Sequence, residues 1–240
     1  MRLLVSVCDA REAQAAVRGG AEIVDAKDPR RGALGPVTPR TLAGIRAAVP
    51  AGIPVSAALG DAAAERVVAR AARLAAARGA AYVKVGLRDV GDTGHARALA
   101  HRAAEGAAES GAELVLVAYA DASRAGSLPP LAVLEIAAAA GARGVLLDTA
   151  FKDRGSLFDL LEIARVAQWL AAARATGGGE GGGLFTALAG SLGEPGLRTA
   201  LALGADIVGV RGAACDGGRT GRVSVARVAA LSAFVAAAVA

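Results

Sequence analysis

Lysine is scarce in this chain, and its positions are therefore informative. Of the 27 basic residues among 240, three are lysine (Lys27, Lys84 and Lys152), which leaves 24 arginines. A guanidinium stays protonated in proteins, whereas an ammonium can lose its proton and attack a carbonyl carbon. Two acids accompany the lysines: Asp25 precedes Lys27 by two residues in VDAKDPRRGALG, and Asp148 precedes Lys152 by four in LLDTAFKD. With an ordinary pKa of about 10.4, roughly one lysine in a few thousand is neutral at pH 7. Burial and neighbouring cations raise that fraction. Lys84 and Lys152 would activate Lys27 in this way, while Asp25 and Asp148 would shuttle protons or hold orientation. The competing reading is a set of buried ion pairs that brace the fold. Arginine, with its bidentate geometry, would serve such pairs better, and this sequence uses arginine nearly everywhere else.

These residues need elements to bring them together. One pattern recurs: a helical stretch rich in Ala, Arg and Glu, then Gly-Ala or a close variant, then a short aliphatic run, as in GGAEIVDAK, RGAAYVKVG, SGAELVLVAY, AGARGVLLDT and LGADIVGVRG. Glycine supplies the left-handed helix cap, and the aliphatic run reads as a strand buried on both faces. With LLVSV, PVSAAL and LFTALAG added, eight strands are expected to begin near 3, 22, 54, 81, 113, 144, 184 and 206. Alternating strands and helices in a chain of this length predict a single-domain (β/α)8 TIM barrel over residues 1–240. An open doubly wound sheet fits less well, because SVCDAREAQ after the first strand has no Gly-rich phosphate loop. TGGGEGGG, Thr176 to Gly183, reads as a linker by composition.

In such a barrel the groups that do chemistry sit at the C-terminal ends of the strands, and one inward layer comes from alternate strands. All three lysines fall on or just after even-numbered strands, and Asp25 and Lys27 share a side because strand side chains alternate. The loops after strands seven and eight commonly cradle phosphate. Gly190 and Ser191 in ALAGSLGEPG, and Gly209, Arg211 and Gly212 in GVRGAACDGG, are the phosphate-binding candidates. Arg30 and Arg31 suit a second anion or a lid. His95 and His101 read as solvent-exposed.

Composition narrows the partners. The net charge of +5 comes from scattered arginines, and 3% aromatic content gives no stacking platform, so no nucleic-acid partner is expected. No zinc or carboxylate-metal spacing is present, no signal peptide and no membrane span are read, and Cys8 and Cys215 are too few for a disulfide framework. The expectation is a cytoplasmic protein without metal or organic cofactor, assembled as a homo-oligomer, whose partner is a small molecule with a carbonyl for the lysine and a phosphate for the Gly-rich loops.

VDAKDPRRGALG, PVSAALGD, YVKVGL, LLDTAFKD and GVRGAAC together resemble the (5-formylfuran-3-yl)methyl phosphate synthase family of methanofuran biosynthesis, over essentially the whole chain. The resemblance implies a TIM-like barrel that joins two molecules of glyceraldehyde 3-phosphate, with loss of phosphate and water, to give a furan aldehyde phosphate, which makes the small-molecule partner a phosphorylated aldehyde. It further implies that Lys27 forms the Schiff base, that Lys84 is the general acid or base, and that Asp25, Asp148 and Lys152 support them. Three alternatives stay open: another Schiff-base aldolase, a decarboxylase-like barrel using Asp25, Lys27 and Asp28 without covalent chemistry, and a phosphate-binding barrel with no catalysis.

Overall fold

The computed structural model describes residues 1–61, 64–176 and 183–237. The stretch read as a linker lies, for residues 177–182, outside the described residues. Eight parallel strands close into a barrel in sequence order: β1 (Arg2–Val7), β2 (Ile23–Ala26), β3 (Val55–Asp61), β4 (Tyr82–Gly86), β5 (Glu113–Tyr119), β6 (Gly144–Asp148), β7 (Phe185–Leu188) and β8 (Ile207–Val210). Each begins within one residue of its expected place. The surrounding helices are α1 (Ala10–Arg18), α2 (Pro39–Ala48), α3 (Glu65–Ala76), α4 (Thr93–Ala108), α5 (Pro130–Ala139), the short α6 (Leu157–Leu160), α7 (Ile163–Ala175), α8 (Glu194–Ala202) and α9 (Val225–Ala237).

Two apolar layers follow from strand alternation. Along β5, Leu114, Leu116 and Ala118 point outward into the core beneath the helices, while Val115, Val117 and Tyr119 point into the barrel. Barrels of this kind are ordinarily filled by bulky inward side chains. Here Ser6, Ser56, Ala187 and Gly209 stand at positions that line an internal cavity, and the axis is partly hollow. Its lower end is closed by Tyr82 and Phe185, packed edge to face at 5.6 Å. Phe185 lies across Gly144, where a Cβ would stand 2.4 Å from the ring.

The segment after β8 departs from plain barrel architecture. A 3-10 turn (Gly212–Ala214) leads into a small antiparallel pair, β9 (Cys215–Asp216) with β10 (Arg222–Val223), which no aliphatic run announces. Among the described residues, no helix is long and apolar enough to cross a membrane.

Candidate active site

The even strands deliver the charged residues to one place. Asp25 on β2 is fully buried; it accepts hydrogen bonds from Ser6 Oγ at 2.9 Å and Ser56 Oγ at 2.7 Å, and its Oδ1 pairs with Lys84 Nζ at 2.7 Å. Burial works to raise the Asp25 pKa, but the charges of Lys84 and Lys27 and the bonds from Lys84 and Ser56 outweigh it and hold the carboxyl below its ordinary value. Asp148, at the end of β6, is held by Lys152, whose Nζ donates to Asp148 Oδ1 at 2.7 Å, Thr149 O at 2.7 Å and Thr149 Oγ1 at 2.9 Å. Those three bonds use every N–H of the ammonium. Against the same burial cost, Lys152 and Lys27 keep the Asp148 pKa low.

Lys27 is different. It follows β2 directly and extends the ladder, its backbone N–H donating to Val7 O at 2.9 Å, which keeps its side chain on the inward side with Asp25. The residue is 8% exposed, yet among the described residues its Nζ makes no hydrogen bond and no ion pair within 4 Å. Burial is the main cause of a pKa lowered to about 8; Lys84 and Lys152 push the same way, and Asp148 and Asp25 oppose them. At that value roughly one amine in ten is neutral at pH 7. Of three cations facing two carboxylates, Lys27 and Lys84 buried and Lys152 half-buried, the surplus one is Lys27.

These five residues and all five phosphate candidates border one cavity of about 400 Å³. The candidates differ in what they offer it. Gly190 and Ser191 sit in left-handed backbone, φ 108° and 53°, in the turn from β7 toward α8. Among the described residues, the N–H groups of Ser191, Leu192, Gly193, Gly212 and Ala213 donate to no protein acceptor, and α8 has no side-chain cap at Gly193. Gly209 lies within β8, paired with Leu4 of β1, and gives the cavity space instead of a loop donor.

Arg211 stands apart from its expected role as a phosphate ligand. Its five N–H groups end on Glu12 Oε1 and Oε2, Ser6 O, Arg219 O and Gly221 O, so the guanidinium is a clamp between β8, α1 and the loop before β10. Arg30 and Arg31 border a separate cavity of about 270 Å³, with Thr38 and Thr41. Asp28 accepts from Arg30 N at 3.0 Å as the cap of the Pro29–Arg31 turn and does not line the lysine cavity, which removes the geometry needed for an Asp25-Lys27-Asp28 array.

Three residues of the site carried no earlier expectation. Ser6 and Ser56 were visible as lone hydroxyls in LLVSV and PVSAAL, at positions that register with Asp25 on either side. Arg219, in the Gly-rich loop before β10, borders the cavity and donates to Pro29 O and Gly32 O, tying that loop to the one after Lys27. Three of its five N–H groups find no acceptor among the described residues.

The profile of the 4-HFC-P synthase family matches residues 3–232. The chain belongs to that family. A relative from Methanothermobacter thermautotrophicus named (5-formylfuran-3-yl)methyl phosphate synthase is 38% identical over 227 residues, covering 93% of this chain and 94% of its own length. Another of that name, from Methanocaldococcus jannaschii, is 40% identical over 221 residues, covering 91% and 92%. The family's relatives are thus named as synthases, and this member is an enzyme. Among solved structures, phosphoribosyl anthranilate isomerase from Thermus thermophilus superposes with a TM-score of 0.66 at 15% identity, covering 99% of both chains, and thiamine phosphate pyrophosphorylase from Pyrococcus furiosus with 0.64 at 14%, covering 100% and 97%. These two likenesses concern the barrel fold alone.

Proposed function

We propose that this 4-HFC-P synthase family member condenses two molecules of glyceraldehyde 3-phosphate into (5-formylfuran-3-yl)methyl phosphate, releasing one inorganic phosphate and two waters, through a Schiff base on Lys27. One observation carries the reading: of the three lysines at the site, Lys27 is the one without a partner among the described residues, and burial lowers its pKa to about 8. A neutral amine in that setting adds to an aldehyde carbon and loses water to give an iminium. The iminium acidifies the neighbouring C–H, and the resulting enamine either expels the phosphate at its β carbon or attacks a second aldehyde. The first outcome makes the enzyme a carbon–oxygen lyase.

Lys84 is suited to the proton transfers, being held on Asp25 by a single ion pair that leaves two of its N–H bonds free of protein acceptors among the described residues. Lys152, with all three N–H bonds engaged, keeps Asp148 ionised beside Lys27. Substrate phosphate fits the turn at Gly190 and Ser191, the uncapped start of α8 and the amides of Gly212 and Ala213, with Arg219 supplying the cation that Arg211 withholds.

Incubation with glyceraldehyde 3-phosphate should release inorganic phosphate and a furan aldehyde absorbing in the near ultraviolet, and borohydride should trap the triose on Lys27 by mass. A trapped adduct with a product other than the furan would assign the site to another Schiff-base aldolase. Turnover with no adduct at Lys27 would reject the covalent route.

A further inference from the structure

We propose that the lower, apolar part of the cavity is a binding chamber for the five-membered aromatic ring formed in the reaction, and that it favours the dehydrated ring over its hydroxylated precursors. The occupant rests on the function proposed above; the chamber rests on the barrel interior. Below Asp25 and Lys84, towards the starts of the strands, the cavity is walled by Leu4, Ile23, Val115, Leu146 and Ile207. Leu4, Ile207 and Leu146 keep 9%, 6% and 5% of their surface open although they point into the barrel.

The space exists because small residues stand where bulky ones ordinarily fill a barrel. Ala187 faces inward from β7. At Gly209 even a Cβ would come within 3.3 Å of Ala189 Cβ and 3.5 Å of Leu4 Cδ2. The Tyr82–Phe185 pair closes the floor.

A cavity region walled by such side chains offers water few hydrogen-bonding partners and accepts small apolar rings. A triose hydroxyl moved into it would give up its water without gaining a partner. The proposed product has a different shape of polarity: its formyl and phosphomethyl groups are polar, and the ring edge opposite them is a C–H and the ring oxygen, whose lone pair is shared with the aromatic system and which accepts hydrogen bonds far more weakly than a hydroxyl and donates none. With the formyl carbon at Lys27 and the phosphate at the β7 and β8 loops, that edge is what enters the chamber. Binding that strengthens as water is lost lowers the barrier to the late dehydrations more than it stabilises the bound trioses.

The test uses 2-methylfuran, which has neither aldehyde nor phosphate. Titrated into the full-length protein and followed by thermal shift and by ligand-observed NMR, it should bind saturably and raise Tm. Ala187→Leu should weaken this binding at least tenfold while inorganic phosphate binds as before. Should Ala187→Leu not fold, Ala187→Val fills part of the same space and should weaken methylfuran severalfold. No saturable binding to the unmodified protein, or equal binding to a folded Ala187 variant, overturns the chamber. Turnover of glyceraldehyde 3-phosphate without methylfuran binding overturns the chamber and leaves the Lys27 chemistry standing. Methylfuran binding without turnover overturns the chemistry and with it the identity of the occupant.

Discussion

At Lys27 the requirements of chemistry and of stability oppose each other. A pKa lowered from 10.5 to about 8 means that the folded protein disfavours the ammonium there, by about 3 kcal/mol in order of magnitude. Lys27→Arg keeps a charge but no nucleophile, and should lower kcat/KM for glyceraldehyde 3-phosphate by about three orders of magnitude or more while the circular dichroism spectrum is retained. Lys27→Met should be equally inactive but more stable, because it leaves two carboxylates facing two ammoniums; at pH 7 a Tm gain on the order of 5 °C is expected in a scanning experiment. An unchanged or lower Tm would mean that the Lys27 charge is a net support for Asp25 and Asp148. The reactive form is the neutral amine, so kcat/KM should climb about tenfold per pH unit below pH 8 and level off above it. A flat acid limb would place the controlling group elsewhere.

The loops after β2 and β8 form a connected strap across the barrel mouth, and arginine performs two different tasks within it. Arg211 and Glu12 are both nearly inaccessible, and removing one partner of such a pair leaves a buried charge uncompensated. Arg211→Met should therefore cost roughly 3–5 kcal/mol of stability by urea unfolding. Arg219→Met should leave the barrel folded and instead raise KM for the phosphorylated substrate by about tenfold or more, in line with loss of one charge-assisted hydrogen bond. If Arg211→Met changed KM without changing stability, the two assignments would have to be exchanged. The difference was not legible in the sequence, where both are arginines in a Gly-rich segment. Arg211 is committed to the clamp by Glu12, 199 residues earlier in the chain, and no local pattern announces a partner at that distance. Asp25, Lys84 and Asp148 were legible because alternation within short aliphatic runs fixes their direction, and a charge in such a run has few reasons to be there. Ser6 and Ser56 were equally visible, but their use follows from the strand register, which composition does not specify.

For the whole molecule, the barrel was readable from its punctuation: glycine at helix ends and aliphatic runs of strand length recur often enough that closure is the economical arrangement. Its hollow axis was not, since small inward residues acquire meaning once eight strands are placed in register. The closed barrel also joins its buried charges into one pH profile. Asp25 and Asp148 have folded pKa values below their unfolded value of about 3.9, so the unfolded chain binds more protons near and below that pH. Their contribution is present above about pH 4 and is lost as pH falls through the folded values. Lys27 gives the same slope in a higher window: between about 8 and 10.5 the unfolded chain holds a proton that the folded one has released, so the penalty of its buried charge is relieved and stability rises with pH there. Cys8, pushed up to about 11 by burial and by Glu12, opposes it from about pH 9, where the unfolded thiol ionises first. Urea midpoints measured from pH 3 to pH 10.5 should therefore be level from about 5 to 8, rise towards 9 and fall away below 4. The advantage of Lys27→Met over the unmodified chain should be full below pH 8, shrink above it and vanish near 10.5. An advantage that persists undiminished at pH 10.5 would show that packing, and not the lysine's charge, is what the substitution changes.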